Sequence, residues 1–511
     1  MTINAMLGWD RGIEWESVSE DVGLGVQIVE LVSSAMYVDP LTIFREYVQN
    51  AVDAIEDARE RGLASGRIDI VLDASARIIR VRDDGSGLNH DAFVRQLRSF
   101  GASEKRWQRR RGFRGVGRLA ALGYCQEVIF RSQTDGHTIS ELRWDARLLR
   151  SLFGSAEPPG GLADAVRQAT SHRRYVSPKI ERFFEVELRG IIRHGRDDLL
   201  NDVAVSQYLS QVAPVPFAPS FRHAEIMNSF LSQKGVFAGV DIYINGSGPI
   251  YRPHRDFIAM KKGVTSTITV PETFEIIGVD GSIVACGWVL HHEYLGAIAR
   301  TEGVRGLRLR SGNIQVGGDD ALLELFPEAR FNAWTVAEVH ILDRRIVPNG
   351  RRDYYEPSAH FAHVLNHLAP MARAVTACCR RSSQQRQAIR KAQILEERVV
   401  RALAIVKQGA ITKEARSRRL EEIRAALRSM ERIVQARILT AVERARVERR
   451  HQVLSVRLAR AAVRDGYPTS LARLTATRRR AYQEVFSLIY ECASDLRSAK
   501  DLVQRVLARM S

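Results

Sequence analysis

Residues 44–55, FREYVQNAVDAI, decide how the rest of the chain is read. Ile43, Tyr47, Val48, Ala51, Ala54 and Ile55 recur at helical spacing, which commits one face of a helix to a core. Glu46, Asn50 and Asp53 fall at i, i+4 and i+7, so an acid, an amide and a second acid share another side of that helix. Such a set can activate a water and hold a hard cation. Read alone, a solvated helix face is the simpler account.

Upstream, residues 26–37 (VQIVELVSSAMY) read as a first helix that breaks at Asp39-Pro40. Downstream, Gly62 is a helix stop signal. Strand-like stretches follow at 67–72, 77–82, 127–132, 137–144 and 183–188, several with period-two alternation. Short turns join them, so the domain is expected to be α+β with a partly antiparallel sheet.

Two glycine-bearing segments punctuate this region. In Asp83-Asp84-Gly85-Ser86-Gly87 the strand-end acid Asp83 can accept a hydrogen bond from an amino group, while Gly85 and Gly87 let a ligand approach the backbone. In Gly112-Phe113-Arg114-Gly115-Val116-Gly117 the glycines precede an apolar helical start at 119–122, where free backbone N–H groups and the helix dipole suit phosphate. No Lys-Ser or Lys-Thr follows the last glycine, so the Walker pattern is absent, and no strand directly precedes the loop, as a dinucleotide fold requires.

In order and spacing, the three segments resemble the nucleotide-binding domain of the GHKL ATPases, the superfamily of gyrase, heat-shock-90 chaperones, sensor histidine kinases and MutL. The resemblance is to the heat-shock-90 class, over about the first 215 residues. It implies a two-layer α/β sandwich of the Bergerat type, with ATP and Mg²⁺ as cofactors. Glu46 would be the general base, Asn50 the magnesium ligand and Asp53 a further nucleotide-side residue of the same box. Asp83 would read the adenine amino group beside Gly85 and Gly87, and Gly112, Gly115, Val116 and Gly117 would form the hinge of a lid over the phosphates. Residues 100–111 would form that lid, with Ser103 and Lys105 close to nucleotide; a solvated lid charge also accounts for Lys105. One departure stands out: the family's Thr on the last strand has no counterpart in Glu181-Arg182-Phe183-Phe184-Glu185.

A Pro-rich loop at 212–219 (VAPVPFAP) closes the domain spanning residues 1–215. Residues 216–358 again alternate strands with helical pieces, and 305–353 resembles the transducer region of the heat-shock class, in which a loop brings an Arg to the γ-phosphate. That match places Arg352 at the phosphate, with Arg351 its nearest competitor. A guanidinium suits charge spread over phosphoryl oxygens, although a basic surface turn at Asn349-Gly350 is the alternative account.

Residues 359–511 lose all strand signals. Leu420, Ile423, Leu427, Met430, Val434, Ile438, Val442 and Ala445 step by three or four as a helical seam does, and a second helix is expected after Asp465-Gly466-Tyr467-Pro468, giving an all-helical hairpin or coiled coil. The chain of 511 residues carries a net charge of +17, and 30 basic against 13 acidic side chains after residue 380 account for all of it. Five cysteines without C-x-x-C spacing support neither a disulfide framework nor zinc, and favour a reducing, cytoplasmic setting. No apolar run approaches the ~20 residues that span a bilayer, so no membrane association is expected.

The resemblance implies an ATPase, and with a dimerising helical region it implies a nucleotide-gated homodimeric clamp on a protein client or operon partner. Arginine clusters at 416–419, 444–450 and 478–480 leave open a nucleic-acid clamp of the MutL or MORC type, or simply a coiled-coil surface. A histidine kinase fits badly, since a phospho-accepting helix would have to precede the ATP site, and a topoisomerase or nuclease centre finds no acidic metal cluster.

Overall fold

The computed structural model describes residues 16–17, 39–63, 66–98, 117–134, 136–153, 161–193, 195–236, 239–261, 263–269, 271–463 and 467–510. The expected helix at 26–37 and the whole of the expected lid at 100–111 lie outside these. The chain divides into two compact units, Met1–Thr376 and Ala377–Ser511.

The first unit opens with β1 (Glu16–Ser17) and α1 (Thr42–Glu60). Ile43, Phe44, Tyr47, Val48, Ala51, Val52 and Ile55 are buried, as their spacing requires. The helix ends where Gly62 N–H donates to Arg59 O and Leu63 N–H to Ala58 O, both at 2.9 Å, satisfying two terminal carbonyls. There follow β2 (Arg67–Asp73), β3 (Ile78–Asp83), α2 (His90–Arg98), a 3₁₀ segment (Gly117–Gly123), β4 (Glu127–Gln133), β5 (Thr138–Asp145), α3 (Ala146–Phe153), α4 (Gly161–Ala169), β6 (Thr170–Val176), β7 (Phe183–Arg189) and α5 (Asp202–Val212). Next come α6 (Ala224–Gln233) and β8 (Asp241–Ile244), the latter joining the sheet of the first domain from beyond the Pro-rich loop, parallel to β2. The sheet order is β1-β6-β5-β4-β7-β3-β2-β8. The fold is the expected α+β sandwich; besides the two-residue β1, the strand of this sheet that sequence reading overlooked is β6, whose TSHRRYV has no apolar alternation.

Alternation assigns the two faces of this sheet. Ile79, Val81, Val128, Phe130, Leu142, Trp144, Val186 and Leu188 pack with α1 in one core. On the opposite face a line of charge crosses five neighbouring strands: Arg173 of β6, Glu141 of β5, Arg131 of β4, Glu187 of β7 and Arg80 of β3. Arg131 meets Glu141 at 2.6 Å, and Glu185 and Glu187 at 2.8 Å each; Arg80 and Arg173 close the ends at 2.8 Å.

The rest of the first unit holds β9 (Phe257–Ala259), β10 (Thr265–Thr267), β11 (Pro271–Ile277), β12 (Ile283–Leu290), β13 (Gly306–Ser311), β14 (Ile314–Val316) and β15 (Val336–Ile341). A second sheet runs β11-β12-β15-β13-β14, its only parallel pair being β13 with β15 among the described residues. At its centre, buried Glu338 takes ion pairs from Arg252 at 2.5 Å and Arg310 at 2.7 Å.

The long α7 (Ala359–Gln408) enters the second unit, which is all helical as expected: α8 (Lys413–Gln435), α9 (Ala441–Val463), α10 (Thr469–Ala472), α11 (Ala476–Cys492) and α12 (Leu496–Arg509). The seam expected to run from Leu420 to Ala445 is interrupted. Leu420, Ile423, Leu427 and Met430 are buried on α8, but Arg437 takes a positive φ of 51°, and Thr440 and Glu443 form a reciprocal capping box that starts α9 in a new phase. Val442 therefore stands 81% exposed.

Candidate functional site

The site is assembled where α1, the end of β3, the 3₁₀ segment and a hairpin of the second sheet's domain converge. Glu46 is buried on α1 because its side chain turns under the chain at Gly117, whose backbone packs directly on the carboxylate; a Cβ there would strike Glu46 Oε2. Asn50, one turn on, is exposed, and Asp53 is partly buried. The three residues keep the single helix side that their spacing gives.

Asp83 ends β3 and is buried beside α1. Its Oδ1 accepts the Gly85 N–H at 2.9 Å, and Ser86 N–H donates to Ala54 O at 3.0 Å, which ties the turn to the helix. Gly85 sits so close to Ala54 that a Cβ would lie 2.7 Å from Ala54 Cβ, and Gly87 turns the chain with a φ of 65°. Burial pushes the Asp83 carboxyl up to about 8, with neighbouring Asp84 adding to the shift and the Gly85 N–H opposing it. Across the sheet Asp83 is in register with Phe184, so no hydroxyl stands at that neighbouring position.

Arg352 comes from a small hairpin closed by the Pro348–Tyr355 bridge, in which Arg352 N–H donates to Asn349 O at 3.0 Å and Asn349 Nδ2 to Asp353 Oδ1 at 2.6 Å. Its φ of 55° is a left-handed conformation that an Arg pays for, held by Gly317 N–H donating to Arg352 O at 3.0 Å. Arg352 Nε lies 3.4 Å from Glu46 Oε1. Arg351 is exposed and lines a cavity of about 510 Å³ with Arg45, Arg308 and Gln315.

Sequence reading passed over Arg45. It is buried on α1, its Nε 3.7 Å from Glu46 Oε1, and its two terminal nitrogens donate to the carbonyls of Arg351 at 3.2 Å and Arg352 at 3.4 Å. The available signal was a charge at a position between Phe44 and Tyr47 that faces the core side of the helix. Gly317, which pins the hairpin from β14, carried no local signal at all. Ser103, Lys105, Gly112, Gly115 and Val116 lie outside the described residues.

Among the described residues no cluster of three His, Cys, Asp or Glu side chains could hold a metal by itself, and no helix is long and apolar enough to cross a membrane. The exposed amide of Asn50 on the Glu46 side is an oxygen donor suited to a hard cation whose other ligands come from phosphate and water.

Residues 41–151 match the family model described as "Histidine kinase-, DNA gyrase B-, and HSP90-like ATPase". Glu46, Asn50, Asp53, Asp83, Gly85, Gly87 and Gly117 all fall within that match, whereas Arg352 does not. The chain is also 24% identical over 192 residues to the chaperone protein HtpG of Chromobacterium violaceum, a match that covers 34% of this chain and 28% of that relative's length.

Proposed function

We propose that the chain, whose match over residues 41–151 places it in the GHKL superfamily near the heat-shock-90-like class, hydrolyses ATP and uses the cycle to close a clamp on a protein client or partner. The observation that carries this reading is the meeting of Glu46 with Arg352, a residue of a different sheet's domain, at 3.4 Å.

In this reading Glu46 orients and deprotonates the attacking water, and Gly117 leaves room for its carboxylate while fixing where it points. Asn50 would hold Mg²⁺, which when bound neutralises phosphate charge. Asp83 accepts the adenine amino group at the buried end of the site, and Gly85 leaves the turn flush against α1. Arg352 supplies a guanidinium to the charge that develops on the transferred phosphoryl group, so hydrolysis requires the second sheet's domain to be seated against the first. Arg45 makes that seat specific by holding the Arg351 and Arg352 carbonyls. A lid at 100–111 that would close over the phosphates, and homodimerisation through the helical unit, complete the proposed clamp. No comparison favours the nucleic-acid alternative.

Phosphate release from ATP by the purified chain, compared with Glu46→Ala, tests the reading. Release that needs Mg²⁺ and disappears in the variant, with ATP still bound, supports it. A chain that neither binds nor hydrolyses ATP, or a variant as fast as the parent, overturns it.

A further inference from the structure

The two sides of α9 are built for different contacts. On one, Val447 and Leu454 are buried and Leu458 and Ala461 partly so, in the core formed with Leu395 and Val399 of α7 and Ile423, Leu427 and Met430 of α8. On the other, Val442, Arg446, Arg449, Val453, Val456, Arg460 and Val463 step alternately by four and three, the spacing of a coiled-coil seam. At 3.6 residues per turn they fall within an arc of about 100° and run for about 30 Å. The four valines are 81%, 41%, 53% and 85% exposed in that order, and Ala445 in the same arc is exposed too. Scattered apolar residues on a surface need no account, but a full-length stripe on one helix does.

The charges decide what covers it. Arg446, Arg449 and Arg460 lie in the seam itself, form no ion pair among the described residues, and have no Asp or Glu in their arc. A second copy of the helix laid parallel would set each of these arginines against itself; laid antiparallel, it would set Arg446 against Arg460. Either arrangement buries like charge against like. Nucleic acid would use the arginines but gain nothing from four valines between them, and no aromatic interrupts the stripe to stack on a base. We propose that this face of α9 docks an acidic amphipathic helix of a different protein, which sets apolar residues on the valines and carboxylates opposite Arg446, Arg449 and Arg460. The surface stands apart from the nucleotide chemistry of the first unit, and the proposal does not depend on it.

The test uses the full chain and two fluorescein-labelled helical peptides of three heptads. Both carry apolar seam positions matched to the valines; one has Glu and the other Lys opposite the three arginines. Anisotropy at low and moderate salt should show the Glu peptide bound at least tenfold more tightly than the Lys peptide. Val453→Asp with Val456→Asp should weaken the Glu peptide at least tenfold, and Arg446→Glu with Arg449→Glu and Arg460→Glu should reverse the preference. All these positions are exposed, and unchanged far-ultraviolet circular dichroism confirms that the variants are folded. Equal binding of the two peptides overturns the proposal. So does binding of a 20-base-pair duplex that competes with the peptide and survives the valine changes, which would assign the face to nucleic acid. Sedimentation showing self-association that the valine changes abolish would assign it to a second copy, and equally refute it.

Discussion

Arg352 and Glu46 stand 3.4 Å apart, Nε to Oε1, although one belongs to a hairpin beside the second sheet and the other to the first helix described in the unit. Arg45 reinforces the approach from the neighbouring helix position by holding the hairpin's backbone rather than its side chains. The proposed base and the proposed phosphate cation are thus brought together by contacts between two parts of the chain, and not by either part alone.

Arg352→Ala should lower turnover by at least about 100-fold with ATP affinity much less affected, because its charge is spent on the transition state. Arg45→Ala should lower turnover as well, through a misplaced hairpin, and Arg45→Lys should restore little, since one ammonium cannot reach two carbonyls as the guanidinium does. Single-turnover hydrolysis and nucleotide titration separate the two effects. A double variant no slower than Arg352→Ala alone would show that Arg45 acts through Arg352, while additive losses would refute the coupling.

Gly117→Ala should damage the same step by a different route. The added methyl meets the Glu46 carboxylate, which must swing away from its line with Arg352. Turnover is expected to fall by about the 10²- to 10⁴-fold that a positioned base is worth, with the melting temperature nearly unchanged. A variant with normal turnover would mean that Glu46 is not held by this contact.

The pH dependence of binding follows from Asp83. Its carboxyl, pushed up to about 8 by burial, is largely protonated at neutral pH in the unliganded chain, whereas the carboxylate is the stronger acceptor for an amino group. Adenine nucleotide affinity should therefore rise as pH goes from 6.5 to 8.5, with protons released on binding, and calorimetry in buffers of different ionisation enthalpy measures that release. For the empty protein the sign is opposite: the folded state keeps a proton that the unfolded chain loses near pH 4, so stability from this group is lost as pH rises toward 8. Asp83→Asn should flatten the stability dependence of the empty protein and abolish binding; retained affinity would refute the adenine-reading role.

Much of this is legible in the amino-acid sequence. The α1 pattern declares its buried face and its polar side because helical periodicity is local, and the strand-end turn at Asp83 announces itself by its glycines. Tertiary contacts were another matter. Arg45 shows only as a charge on the core side of its helix until the hairpin that it holds is in place, and β6 hides because its Arg173 serves the charge line instead of a core. The α8–α9 break was written in Thr440 and Glu443, but the apolar steps on either side happened to continue through it, and periodicity outvoted the capping box. The exposure of Val442 was the consequence.

The charge line on the first sheet supplies the last expectation, one about stability. Glu141 and Glu187 are each about 1% exposed, and Arg131 lies between them while also reaching Glu185. Burial alone would raise the Glu187 carboxyl, but Arg131 and then Arg80 and Arg189 outweigh it and hold it down to about 2. Glu187 thus contributes stability that is complete above the ordinary glutamate range and is lost as pH falls from there through about 2. Arg131→Met removes the charge that three carboxylates share but leaves Glu187 with Arg80 and Glu141 with Arg173, so it should cost less than the about 3–5 kcal/mol of a buried charge stripped of its partner. It should lower the urea midpoint of the first unit sharply at pH 7 and much less at pH 3, where the abandoned carboxylates can take up protons. A loss of equal size at both pH values would mean that Arg131 contributes by packing and not by charge.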